Sequence, residues 1–228
     1  MKTLEIKTIT ISAFFRALKV YGHASLACGA TTTDYGWIRR AEPGIISAAV
    51  KILCPKVILE IGTHKGETTL GLASDAPRAK VYTVDIFQEM AKDISVCQEY
   101  TVLPRKEVGR AFKNRKTNIV QLFGDSRDPA TYSVIDRKVD LAFIDGNHSF
   151  DAVIKDSQNV LRLMKRKSFI FWHDFTSNFV SQVPEALGCL MVEEGLEIFH
   201  IKNTWLAFCL LGDRSPFRQV RPKVAAFL

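Results

Sequence analysis

Apolar residues gather in short runs rich in β-branched and aromatic side chains, at Lys56 to Ile61, Lys80 to Val84, Asn118 to Phe123, Val139 to Ile144 and Ser168 to Trp172. Continuous apolar runs of this length read as strands buried on both faces. Between them, Glu67 to Ser74, Phe87 to Tyr100 and Phe150 to Met164 read as helices. In the last, Phe150, Val153, Ile154, Val160, Leu161 and Met164 fall on one helical face, and Ser149 stands where an N-cap is expected. Another helix precedes the first strand, with Pro43 near its start and Ile45, Ile46, Ala49 and Leu53 making it amphipathic.

Strand and helix alternating at this spacing predict an α/β fold, a doubly wound and mostly parallel sheet of Rossmann-like type. Leu196 to Ile201 and Trp205 to Leu211 break the alternation, because only Lys202, Asn203 and Thr204 separate them. So short a link forces an antiparallel C-terminal hairpin, which brings the expected sheet to seven strands. Residues 1–41 stand outside the pattern. Phe14, Phe15, Leu18 and Tyr21 suit a helix that docks on the core, covers a site or mediates dimerisation, so a homo-oligomer stays open. The expected division is an N-terminal helical cap or docking segment, 1–41, and a main domain, 42–228.

Composition narrows the class. The 228 residues are 47% hydrophobic and 24% charged, enough apolar surface for a core and unlike a disordered or collagen-like chain. The longest uncharged apolar stretches, such as Leu206 to Leu211 and Ile45 to Val50, fall short of the roughly 18 residues of a membrane span. Arg16 and Lys19 interrupt the N-terminal apolar stretch, which argues against a secretory signal. Cys28, Cys54, Cys97, Cys189 and Cys209 are scattered and never spaced C-x-x-C, as expected of reduced thiols in a cytoplasmic protein.

Lysine and arginine exceed the acidic residues by 31 − 24 = 7. Much of the excess sits between Arg105 and Lys116, with smaller groups at Arg162 to Lys167 and Arg214 to Lys223. Such runs read first as a solvated helix face and a basic tail, and second as a footprint for an anionic partner.

Acidic residues fall at the ends of successive strands. Asp85 directly follows the second run, Asp125 lies two beyond the third, Asp145 directly follows the fourth and Asp174 lies two beyond the fifth. In a parallel sheet these ends share one edge, and that carboxyl edge is where open α/β sheets bind ligands. The first strand runs into Glu60-Ile61-Gly62-Thr63-His64-Lys65-Gly66, whose glycines allow a tight turn close to a ligand. Asp85 lies 19 residues beyond Gly66, near the offset at which an acidic side chain binds ribose hydroxyls. The pattern therefore points to a nucleoside ligand. Glu60 stands where a dinucleotide fingerprint places its first glycine, and a carboxylate there would repel a pyrophosphate. A phosphate-binding P-loop frame is also missing around Lys65-Gly66.

Val57-Ile-Leu-Glu-Ile-Gly-Thr-His-Lys-Gly66, the Asp85 strand end, Gly124-Asp125-Ser126, Phe143-Ile-Asp-Gly-Asn-His-Ser-Phe150 and Phe171-Trp-His-Asp174 form a series. The series resembles the class I S-adenosylmethionine-dependent methyltransferases, and most of all their small O-methyltransferase-like branch with I-D-G-x-H-S-[YF] and H-D. The resemblance covers about residues 42 to 211, so it makes 42–228 an S-adenosylmethionine-binding domain. It implies that Glu60, Gly62 and Gly66 line the methionine part of the cofactor and that Asp85 holds the ribose. It further implies that Asp125 and Ser126 flank the adenine, and that Asp145 lies beside the methionine end and the methyl group. Two departures stand out. Arg166-Lys167-Ser168 replaces the usual Pro-Gly-Gly turn before the fifth strand, and Asn147 stands where many relatives carry Asp.

A sulfonium methyl is already activated, so such a protein must hold a nucleophile in line and remove a proton. His148 and His173 both sit at the carboxyl edge beside Asp145 and Asp174, and either imidazole suits a general base, with His148 first. No catalytic role is assigned to His23, His64 or His200. Asp145, His148 and Asp174 could also gather a divalent, Mg-type metal that lowers the pKa of a hydroxyl, as in some catechol-type relatives. The expected reaction is O-methylation of a small-molecule or sugar-like acceptor. Two alternatives stay open: a non-catalytic nucleic-acid-binding module using residues 105–116, and an NAD-dependent oxidoreductase on a similar sheet.

Overall fold

The computed structural model describes residues 5–22, 41–91, 102–115, 118–176 and 182–212. Among them eight strands, β1 (Lys7–Ile9), β2 (Val57–Ile61), β3 (Lys80–Asp85), β4 (Ile119–Phe123), β5 (Val139–Ile144), β6 (Met164–Trp172), β7 (Ile198–Ile201) and β8 (Ala207–Leu211), form one sheet. Their order is β1-β7-β8-β6-β5-β2-β3-β4. Every neighbouring pair is parallel except β6 with β8 and β7 with β8, so only β8 runs against the rest. Six α-helices among the described residues accompany it: α1 (Ile11–Gly22), α2 (Glu42–Leu53), α3 (Glu67–Asp75), α4 (Gln88–Ala91), α5 (Phe150–Leu163) and α6 (Val183–Glu193).

All seven expected strands are present. The eighth, β1, lengthens the sheet by pairing Lys7, Thr8 and Ile9 with Phe199, His200 and Ile201 of β7. Strand β6 begins at Met164, so Arg166-Lys167-Ser168 lies inside the strand rather than in a turn before it, and a register irregularity between Val139 and Leu141 absorbs the difference. Helix α6 was not foreseen from the sequence; Pro184 starts it, and its face carrying Ala186, Leu187, Leu190 and Met191 is buried. Within the expected helix at 87–100 only α4 lies among the described residues. Ser149 takes the extended backbone of an N-cap, but its hydroxyl makes no capping bond. The Phe150 amide is bonded instead by Gln182 Oε1, 2.8 Å away.

Each face of the sheet carries its own core. On one face α1, α2 and α3 cover Ile58, Val81, Phe143, Phe169, Phe171 and Phe208. There Phe14 of α1 packs edge-on against Phe169 and Phe208, at ring distances of 6.2 and 5.0 Å. On the other, α5 and α6 cover Leu59, Tyr82, Ile144, Ile170 and Trp172. With both faces closed, the carboxyl edge is where loops from several strands can converge. Cys54, Cys189 and Cys209 are free thiols. No helix among the described residues is long and apolar enough to cross a membrane.

Candidate active site

The loop after β2 is tied to its neighbours through backbone. Gly62 N–H donates to Val84 O at 2.9 Å, and Asp145 N–H donates to Ile61 O at 2.9 Å. Gly62 has φ +95°, and a Cβ on it would lie 2.0 Å from the Asp145 carbonyl oxygen, so no side chain fits. Gly66, at φ +87°, closes the turn by donating to Thr63 O and leads into α3.

Asp85 completes this rim. Its carboxylate accepts from His64 N–H at 2.6 Å and from Ile86 N–H at 2.8 Å. Burial pushes its pKa up to about 6, against those backbone donors. Gly62 and Asp85 therefore lie side by side at the carboxyl ends of β2 and β3.

Glu60 lies beneath the loop, within β2. It is fully buried, and its Oε2 accepts from the hydroxyls of Thr69 and Thr83. Burial pushes its pKa up to about 8, so it is mostly uncharged at neutral pH. Repulsion between Glu60 and a pyrophosphate is consequently weaker than the sequence suggests. What still separates this loop from a dinucleotide fingerprint is the missing glycine itself.

Asp125 and Ser126 follow β4 on the next loop. Asp125 grips Arg127: Arg127 Nε lies 2.9 Å from Oδ1 and Nη2 lies 2.7 Å from Oδ2. Burial would raise the Asp125 pKa, but Arg127 outweighs it and holds the carboxyl below its ordinary value. The Ser126 carbonyl accepts from Tyr132 Oη at 2.7 Å and from Asn159 Nδ2 at 2.9 Å, which fixes the loop from behind.

At the other end of the cleft, the ends of β5 and β6 bring two carboxylates and two imidazoles together. His148 Nε2 lies 3.0 Å from Asp174 Oδ2 and 3.8 Å from Asp145 Oδ1. His173 Nδ1 lies 3.2 Å from Asp145 Oδ1 and 3.1 Å from Asp174 Oδ2. Asp174 is held in the left-handed region, at φ +58°. Burial disfavours the charged form of both rings, yet the facing carboxylates prevail, raising His148 to about 9 and His173 to about 12. The same ion pairing carries Asp145 and Asp174 below the usual carboxylate range despite burial.

Glu42 joins the cluster although no motif in the sequence marks it. Fully buried at the start of α2, it meets His173 Nε2 at 3.2 Å through one oxygen and accepts from Trp205 N–H through the other. His173 is thus held between Glu42 and the two aspartates, while His148 is the more exposed ring. A glutamate opening a helix reads as a dipole complement, so only its contact across the fold reveals it.

Asp145, His148 and Asp174 each offer a ligand atom, all within 4.8 Å of one another. Two carboxylate oxygens and an imidazole nitrogen are donors that suit a divalent ion, so the set fits one. Asn147, in place of a common Asp, turns its Oδ1 to Ser149 N–H at 2.9 Å and takes no part in the cluster.

The basic run at 105–115 is a chain of turns rather than a helix, and it lies across the glycine loop. Gly109 N–H donates to His64 O at 2.8 Å and Ala111 N–H to Lys65 O at 2.9 Å, while Phe112 covers Gly66. Several of its cations are engaged at home. Arg105 stacks on Phe87 and Phe123, Arg110 pairs with Glu107, and Lys113 binds the carbonyls of Arg105 and Lys106. Lys116, His23 and the basic tail at 214–223 lie outside the described residues.

Residues 59–175, just over half of the chain, match the family described as Methyltransferase domain. A comparison with curated proteins gives no match. Among solved structures, the SAH-bound methyltransferase PaMTH1 of Podospora anserina is similar at TM-score 0.56 and 14% identity, over 89% of this chain and 88% of its own. The O-methyltransferase of Bacillus cereus in complex with SAH is similar at TM-score 0.53 and 19% identity, covering 89% and 91%. TomG, the O-methyltransferase of Streptomyces achromogenes involved in tomaymycin synthesis and solved with SAM, gives 0.53 and 14%, covering 88% and 90%. At these identities the structures show a shared fold, and the family match carries the assignment: this chain belongs to the methyltransferase domain family.

Proposed function

We propose that this methyltransferase uses S-adenosylmethionine to methylate oxygen on a small-molecule acceptor. One observation carries the reading. The Gly62 loop is bonded directly to Asp85 on one side and touches the Asp145 backbone on the other, so a ribose-binding carboxylate and the histidine cluster flank one glycine turn. The solved O-methyltransferases of the same fold with bound SAH or SAM support the choice of cofactor and of oxygen as the nucleophile.

In this reading Asp85 binds the ribose hydroxyls, Gly62 and Gly66 leave the methionine portion room against the backbone, and Asp125 with Ser126 borders the adenine. Asp145 marks the methyl end. His148, once neutral, takes the acceptor's proton, and Asp145 and Asp174 stabilise the imidazolium that forms. His173, locked by Glu42, keeps the two aspartates in place. In the alternative to His148 acting as base, a divalent ion would be held by Asp145, His148 and Asp174, and would supply Lewis-acid lowering of the hydroxyl's pKa.

Calorimetry with S-adenosylhomocysteine tests this assignment. The unaltered chain binds it, and Asp85→Ala weakens binding by about 1.5–3 kcal/mol, the loss expected for hydrogen bonds to a charged group. Absence of binding by the unaltered chain rejects the cofactor, and equal affinity in Asp85→Ala rejects the role given to Asp85.

A further inference from the structure

The basic run at Arg162 to Lys167 takes no part in the carboxyl-edge cluster. Strand β6 pairs Met164 with Val139 and Phe169 with Leu141, so Lys165, Arg166, Lys167 and Ser168 stand opposite the single Asp140 of β5. The surplus leaves the ladder as a bulge, a device that re-aims side chains at the rims of sheets. Two contacts hold it: Ser168 Oγ donates to Lys165 O at 2.6 Å, and Lys165 Nζ meets Asp140 Oδ1 at 2.5 Å. Lys165, Arg166 and Lys167 are thereby fixed in succession at the amino end of β6, with Arg166 and Lys167 exposed. Like charges held together repel, and a bound anion offsets that repulsion.

Beside the bulge lies a cavity of about 410 Å³, within the roughly 300–1,000 Å³ typical of small-molecule sites. Its walls come from the end of α5, the bulge and the end of β8: Leu161, Met164, Lys165, Arg166, Leu211 and Gly212. Met164 is buried and the two leucines are half-buried, so the cavity has an apolar side, while Lys165 and Arg166 supply charge and none of the six is acidic. Two neighbouring cations strengthen the field. Arg162 Nη1 donates to Asn159 Oδ1 at 3.3 Å and Lys138 Nζ to the Arg162 carbonyl at 2.7 Å, neutral acceptors that leave both charges in place. Asp140, paired with Lys165, also accepts from the Lys56 and Val57 amides at 2.9 Å, so its charge is already shared. His173 and Asp174 follow the other end of the same strand, which puts the cavity on the opposite edge of the sheet from the histidine cluster.

We infer that this cavity is a second binding site, for a small organic anion whose apolar body packs on Leu161, Met164 and Leu211 while its carboxylate or phosphate meets Lys165 and Arg166. The inference goes beyond the adenosyl reading and depends on no part of it. Apolar walls hold the body and a few charged groups fix its orientation, the division of labour usual in small-molecule sites. Hydrogen bonds from a guanidinium to an anionic head are the stronger, charge-assisted kind.

The test is calorimetric titration of the full chain with octanoate and with octyl phosphate, the tighter of the two identifying the head group. Octanol keeps the body without the charge and inorganic phosphate keeps the charge without the body; each binds about tenfold more weakly or worse than the preferred amphiphile. Arg166→Glu, at an exposed position, weakens amphiphile binding by about tenfold or more, and Arg166→Gln, which removes the charge without reversing it, gives a smaller loss in the same direction. Lys106→Glu makes the same charge reversal over the glycine loop and leaves binding unaltered, as does saturation with S-adenosylhomocysteine. The inference is overturned if neither amphiphile binds, if octanol or inorganic phosphate binds as tightly, or if Arg166→Glu and Lys106→Glu lose affinity equally. Displacement of the amphiphile by S-adenosylhomocysteine also overturns it, because the anion would then occupy the cofactor cleft.

Discussion

Glu60 lies inside the molecule between Thr69 of α3 and Thr83 of β3, and burial sets its chemistry more than its place in the glycine motif does. The folded chain keeps the Glu60 proton up to about pH 8, whereas an ordinary glutamate releases it near 4.5. Between those values the unfolded state binds fewer protons than the folded one, so this group's contribution to stability falls as pH rises. Thermal unfolding at pH 5 and pH 8 is expected to show a smaller decline in Glu60→Gln than in the unaltered chain. An equal decline in the two would place the pH dependence elsewhere. At this scale the sequence exposed Asp85, Asp145, His148, His173 and Asp174, because each closes a strand at one edge. It could not expose Glu42, which opens a helix and reaches His173 only through tertiary packing. Nor could it show that Asp145 and Asp174 lift His148 well above an ordinary imidazole.

Most elements were legible because burial on both faces leaves strands such as Val139–Ile144 uninterrupted by charge. Two escaped for different reasons. Strand β1 has only three residues and exists through its pairing with β7, and α6 has apolar residues on so much of its surface that helical periodicity is blurred. Charge alone suggests a helix face at 105–115, but Gly109, at φ +68°, and the bonds to His64 and Lys65 hold the segment as turns over the glycine loop. Helix α1 is secured by Phe14, wholly buried against Phe169 and Phe208. Phe14→Ala is expected to cost about 3–5 kcal/mol in denaturant unfolding, the range for emptying a buried aromatic site. A loss below about 1 kcal/mol, the level of a surface substitution, would show that α1 contributes little to the core.

For the whole molecule, the sheet order places the ends of β6, β5, β2, β3 and β4 side by side, which is why residues between Asp174 and Asp125 in space come from five separate strands. Alternation of strands and helices foretold that arrangement, since right-handed crossovers put every carboxyl end on one edge. The excess of seven positive charges foretold less, because Arg105, Arg110 and Lys113 make their contacts within their own segment and its neighbours. The measurement that bears most directly on the account is a crystal structure of the chain with S-adenosylhomocysteine. The ribose should meet Asp85, the adenine should lie beside Ser126 and the sulfur should point toward Asp145 and His148. A ligand bound away from the Gly62 turn, or lying with its adenine at the His148 end, would contradict it.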